Sequence, residues 1–250
     1  MRIASPGHAL FAAILIALGL QGLVMGDFPA IWQPIPKDLP GRDALALCCA
    51  LVSLGCGGGL LWARAARPAA GVLLVCLLLF IATVRVPALV KAPASMEPWE
   101  GCGETVVIAA GAWVLFGNVR PARLVYGLAL IPFGVAHFAY LKETASLVPG
   151  WLPWPIAWAA GTGCAYIAAG LAVLSGVQAR LAALLSTAQM GGFTLLVWLP
   201  IMASAGPKSA FQWNETMISL ALTVSGWVVA ESYRVAALPG GITTAAEAGR

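Results

Sequence analysis

Long apolar runs dominate the chain and recur at nearly regular intervals. Stretches at about 8–26, 44–64, 69–90, 103–119, 122–142, 155–177, 180–202 and 215–232 hold almost no charge, and the polar residues gather in the short segments between them. Each run is close to the ~20 residues that a helix needs to cross a hydrocarbon core of ~30 Å. A helix that is apolar all round has no face to turn toward water. The pattern therefore predicts an all-α integral membrane protein with eight transmembrane helices. The first run, which follows Arg2 and has no acid before Asp27, resembles a signal peptide. It is read as a span because no convincing small-x-small cleavage site follows and because it has a counterpart later in the chain.

That counterpart belongs to an internal repeat. At a shift of about 113 residues, Pro36 falls on Pro149, Leu39-Pro40 on Leu152-Pro153, Gly57 on Gly170, Arg67 on Arg180 and Pro87 on Pro200. Small gaps then bring Trp99 onto Trp213 and Glu104-Thr105 onto Glu215-Thr216. The expectation is two tandem four-helix units, 1–120 and 121–235, followed by a tail at 236–250 read as disordered. An even number of spans per unit keeps both in one orientation, as in parallel repeats. Arginines concentrate at one end, at Arg2, Arg64, Arg67, Arg120, Arg123, Arg180, Arg234 and Arg250. The positive-inside rule places that end, with both termini, in the cytoplasm.

Composition narrows the function classes. With 60% hydrophobic and 10% charged residues, the chain cannot clothe itself in a polar shell. A formal charge of +4 with no dense basic run excludes a nucleic-acid footprint. The six cysteines lack any spacing that binds zinc or exchanges thiols, and no metal site is expected. Nor is there a phosphate-binding glycine loop or a Ser/His/Asp arrangement. The bilayer is thus the one partner that composition demands.

Ionisable groups inside a bilayer are expensive and point by default to function or to a specific partner. His137 lies about five residues from the outer end of its span, ~8 Å deep at 1.5 Å per residue, with Tyr140 a turn further out. Glu104 and Glu215 open the fourth and eighth runs, where a helix dipole favours a carboxylate. Glu215 heads a polar row through Ser219, Thr223 and Gly226. A neutral imidazole at 137 is suited to bonding Glu215 or to exchanging a proton with a carbonyl ligand. Arg85, in the third run, is read as snorkelling outward or pairing with Glu104. Gln189 is read as an interhelical donor. Trp32, Trp99, Trp151, Trp154, Trp158 and Trp213 crowd the outer rim as interface anchors. The spacing of Trp151, Trp154 and Trp158 also suits a floor for a flat ring.

The stretch Gly134-Val-Ala-His137-Phe-Ala-Tyr140, the turn Leu147-Val-Pro-Gly-Trp-Leu-Pro153, the run Trp158-Ala-Ala-Gly161-Thr-Gly163 continuing to Gly170-Leu171, and then Arg180 and Leu199-Pro200 resemble the DoxX and DoxX-like membrane protein family. The resemblance covers roughly 122–232 and implies four-helix DoxX-like bundles in a bacterial-type cytoplasmic (inner) membrane. The first unit looks like a degenerate copy, with Gly22 standing where His137 would be. The family's themes imply redox chemistry linked to a membrane quinone and a membrane or periplasmic redox enzyme as partner. On that reading His137, Glu215 and Tyr140 carry the chemistry, Trp151, Trp154, Trp158 and Ser219 flank the ligand, and Arg85–Glu104 is a structural ion pair. Two other readings stay open: a non-catalytic scaffold for a partner enzyme and a small-solute transporter.

Overall fold

The computed structural model describes residues 5–235; the tail at 236–250 and Arg2 lie outside the described residues. It contains eight long helices: α1 (Pro6–Met25), α2 (Arg42–Leu61), α3 (Ala66–Lys91), α4 (Met96–Phe116), α5 (Val119–Ala139), α6 (Pro155–Ser175), α7 (Ala179–Ala203) and α8 (Ala210–Val235). A short helix, Leu141–Ser146, follows α5, and a single 3-10 turn, Ala30–Trp32, follows α1. Among the described residues there is no strand.

Six of these helices, α1, α2, α3, α5, α6 and α7, are long and apolar enough to cross a membrane, and they make this a multi-pass membrane protein. Of the eight spans expected, six meet that measure. The two that fall short, α4 and α8, carry Glu100, Glu104 and Glu215. They also pack on each other at the centre of the molecule, where α4 touches α3, α5 and α8, and α8 touches α1, α4 and α7. Central helices meet protein rather than lipid, so they need less apolar surface.

The helix starts reproduce the repeat: Pro6 and Val119, Arg42 and Pro155, and Ala66 and Ala179 stand at one constant offset. The irregularities repeat too. α3 and α7 each widen into a π-helical turn, at Ile81–Arg85 and at Thr194–Trp198. Pro87 and Pro200 follow two residues later. Each lacks an N–H and crowds the carbonyl four residues back, which displaces the hydrogen-bond ladder locally.

The eight helices do not sort into two self-contained bundles. α1 packs mainly on α2 and α8, while α5 packs on α4 and α6. Both hydrophobic cores draw on both central helices. One core joins Phe11, Leu15, Leu73 and Leu77 with Ile108 of α4 and Val224 of α8; the other joins Tyr126, Leu130 and Val173 with Val107 of α4 and Val229 of α8. Each half therefore contributes its fourth helix to the other's core. α5 and α6 approach closely because Gly134 leaves room for the Gly163 carbonyl and Ile167, and Gly19 does the same for the Ala50 carbonyl and Leu54 between α1 and α2.

The helix ends also revise the expected positions of two residues. α4 begins at Met96, so Glu104 lies in its third turn; α8 begins at Ala210, so Glu215 lies in its second turn. A dipole acts within the first turn and does not account for either carboxylate. All six cysteines are free thiols.

Candidate functional site

Where α5 ends and α8 begins, a cavity of about 170 Å³ opens between α4, α5, α6, α7 and α8. His137, Tyr140, Glu104, Glu215 and Ser219 all line it, so five of the residues singled out by the sequence meet at one place. Glu100 lines it as well, together with Tyr166, Phe133, Phe193 and Trp198. Three carboxylates, an imidazole and several rings thus share one small space.

His137 is held firmly. Its Nδ1–H donates to the Phe133 carbonyl at 2.7 Å, one turn back along α5. A carbonyl only accepts, so in the neutral imidazole Nε2 carries the free lone pair. That Nε2 is buried and has no partner. The ring lies edge-on to Tyr166 at 5.4 Å and to Phe193 at 5.7 Å. Aromatic packing on two sides and a backbone bond on a third leave the imidazole one orientation, with a single acceptor on offer. The direct bond from His137 to Glu215 does not form; the two groups line the same cavity without touching.

The Glu215 row faces protein, as its small polar residues require. Ser219 is buried and its hydroxyl meets that of Thr194 at 2.7 Å; Thr223 meets Thr194 at 3.2 Å. Gly226, further along, leaves space for Thr187 and the Tyr126 hydroxyl. Thr194 opens the π-helical turn of α7, so the bulge aims one hydroxyl at two on α8. These bonds fix the wall from which Glu215 projects.

The Arg85–Glu104 ion pair does not form. Among the described residues the one ion pair is Arg42–Asp27, at 2.7 Å. Arg85 is buried in the α3 bulge, donates Nε–H to the Thr105 hydroxyl at 3.0 Å and lies 5.5 Å from the Phe80 ring. Thr105 faces α3 while its neighbour Glu104 faces the cavity on the far side of α4. One step along a helix turns a side chain by about 100°, which separates the two.

The tryptophans stand beside the cavity rather than in it. Trp151 and Trp158 line an adjoining apolar cleft of about 350 Å³ together with Pro149, Leu152, Leu196 and Val197. Trp154 lies further out and is 78% exposed. Cleft and cavity share Thr144, Leu147 and Phe193 as a common wall, so a polar chamber abuts an apolar one. Gln189 donates to the Thr162 carbonyl at 3.0 Å and so ties α7 to α6 beneath the cleft, the interhelical bond expected of it.

Trp32 is not an interface anchor. It is 3% exposed and belongs to the first core. Glu100 is the site residue that sequence reasoning passes over: α4 belongs by sequence to the first repeat, yet its glutamates face the second. Compared with family models, with characterised proteins and with solved structures, the chain matches none of them.

Proposed function

We propose that the second half of the chain binds a membrane-dissolved, ring-bearing amphipath of quinone type, with the polar head in the His137 cavity and the apolar portion in the Trp151/Trp158 cleft. The observation that carries this is the junction of the two chambers across Thr144, Leu147 and Phe193. A ring carbonyl is an acceptor, so it takes a hydrogen bond from Tyr140 or from a protonated carboxyl among Glu100, Glu104 and Glu215. His137 Nε2 accepts from a ring hydroxyl in the reduced form. The carboxylates would pass protons to and from the ligand. Electrons would come from a redox partner enzyme in or beside the membrane.

In this reading all eight long helices cross a bacterial-type cytoplasmic membrane with both ends of the chain inside. α4 and α8 are the shielded central pair of two tandem DoxX-like units. The constant offset of helix starts and π-helical turns supports the repeat, and the arginines at one end support the orientation.

The test is equilibrium binding of a short-chain quinone to the purified protein in detergent. His137→Ala and Glu215→Gln should each weaken binding about tenfold, the equivalent of one hydrogen bond in a shielded site. Unchanged affinity in both variants, with the fold intact by circular dichroism, would sink the reading. A second reading, passage of a small cationic solute, draws on the convergence of Glu100, Glu104 and Glu215 on a ring-lined space. Uptake of that solute by proteoliposomes, abolished by Glu104→Gln, would decide for it.

A further inference from the structure

At the opposite end of the second half lies a cavity of about 520 Å³, lined by Arg120, Arg123 and Arg180, by Ser175, Gly176, Gln178 and Ala179, and by Leu124, Val173, Leu174 and Tyr233. Three arginines line it, and among the described residues none of its lining is acidic. They come from two helix starts. Arg120 and Arg123 stand in the first turns of α5, and Arg180 in the first turn of α7.

Among the described residues, only one of the three is tied to the protein. Arg123 donates from Nε to the Ser232 hydroxyl at 3.0 Å and from its terminal nitrogen to the Ser232 carbonyl at 2.6 Å, and its guanidinium lies 3.9 Å from the Tyr233 ring centre. This fixes the back wall. Arg120 and Arg180 are exposed at the mouth. Gln178 precedes α7 without a side-chain cap bond, so backbone N–H groups at that helix start add to the same positive field.

The apolar part of the lining sets the ligand class. Leu124 and Leu174 continue, one turn further into the helices, as Leu128 on α5 and Leu171 on α6, both 55% exposed. α5 starts and α6 ends at this cavity, and the two helices pack on each other, so the leucines form a strip running from the arginines along the membrane-facing surface. A basic chamber continuous with an apolar strip matches a phosphate that carries an acyl chain.

The first half does not repeat the device. In the register that pairs Gly19 with Gly134 and Gly22 with His137, Ser5 stands where the second half has Arg120. His8 stands where it has Arg123, and of the three arginines only Arg180 has a counterpart, Arg67.

We propose that this cavity binds the phosphate of an anionic phospholipid, with Arg123 as the fixed contact, Arg120 and Arg180 closing over the head group, and an acyl chain along Leu124, Leu128 and Leu171. It rests on the membrane reading of the fold and is independent of the His137 cavity.

The experiment uses the full chain in nanodiscs of phosphatidylglycerol and phosphatidylcholine mixed in equal parts, followed by native mass spectrometry of retained lipid, with inorganic phosphate in a separate arm. Wild type should retain phosphatidylglycerol preferentially. The double variant Arg120→Gln/Arg180→Gln should lose roughly fivefold of that preference per arginine removed. Arg64→Gln/Arg67→Gln, at the matching end of the first half, should keep it. Both pairs are exposed, and the one ring contact that either change removes is that of the Arg67 guanidinium on Phe116, at 5.4 Å. Phosphate binding that the double variant abolishes, with no lipid preference in wild type, would assign the same phosphate chemistry to a soluble anion. A preference identical in wild type and the double variant, or neither lipid preference nor phosphate binding in wild type, overturns the proposal.

Discussion

The two halves of the chain share their helix boundaries, but one is filled where the other is open. In the second half His137 lies against Tyr166 and Phe193 at the edge of a cavity. Ser53 and Phe80 stand at the repeat offset from those two rings. There the first half places Trp32, whose indole N–H donates to the Ser53 hydroxyl at 2.8 Å and whose ring lies edge-on to Phe80 at 5.6 Å. Phe28, Ala30 and Ile31 are buried beside it. The segment after α1 has folded into the bundle and occupies the space that its counterpart leaves free.

Two exchanges account for the difference. Trp32 corresponds to Ala145, a small residue at the matching point of the short helix after α5. Gly22 corresponds to His137, and a side chain at position 22 would meet Pro29 of the inserted segment. The inserted segment also has polar anchors. Gln21 donates to Asn214, Asn214 donates to Gln33, and Gln33 donates to the Phe28 carbonyl. Asn214 thus secures the first half, and Glu215, the next residue of α8, lines the cavity of the second. Binding chemistry and core filling are alternative uses of one architectural position.

If the indole is what fills the first half, removing it should have the largest effect. Trp32→Ala deletes a fully buried ring and leaves the Ser53 hydroxyl without its donor. A loss of about 3–5 kcal/mol is expected, read as a lower unfolding midpoint in mixed detergent titrations. A loss below about 1 kcal/mol would mean that the bundle collapses onto the space and that the comparison of filled and open halves is wrong.

The converse change should act on binding more than on stability. Ala145→Trp puts an indole at the matching point of the second half, behind Thr144, which lines both chambers there. Quinone affinity should fall at least about tenfold, since a ring that displaces the ligand removes its contacts outright. The unfolding midpoint should hold or rise. Undiminished binding would show that the ligand space lies elsewhere.

How much of this was legible in the sequence depends on the range of the interactions. The period of the repeat could be read because the prolines, glycines and arginines that set turns and helix starts act locally. His137, Tyr140, Glu215 and Ser219 could be read because polar groups stand out in apolar helices and lie on predictable faces. Glu100 and Glu104 could not be assigned to the second half, because the crossing of α4 and α8 between the two cores is a tertiary choice with no local signature. Arg85 and Glu104 carry opposite charges at plausible depths, yet a single step in helical phase, from Thr105 to Glu104, turns the carboxylate away from the guanidinium. Trp32 sits in a proline-rich connection, where a rim position is the default, and only Ser53, which accepts its indole N–H, and Gly22, which leaves room for Pro29 of the same segment, mark it as part of an inserted plug.

The smallest expected effect isolates the polar part of that plug. Ser53 accepts from the Trp32 indole and donates to the Cys49 carbonyl at 2.9 Å, and it is completely buried. Ser53→Ala keeps the ring and its packing but leaves a buried indole N–H unpaired, which costs about 1–3 kcal/mol. Trp32→Phe removes that donor while retaining most of the aromatic volume. The double variant Ser53→Ala/Trp32→Phe leaves neither partner stranded and should recover part of the loss seen in Ser53→Ala. Additive losses in this cycle would show that the hydroxyl and the indole act independently. Trp32 would then be held by packing alone, and the hydroxyl at 53, where the second half has Tyr166, would have no part in closing the first.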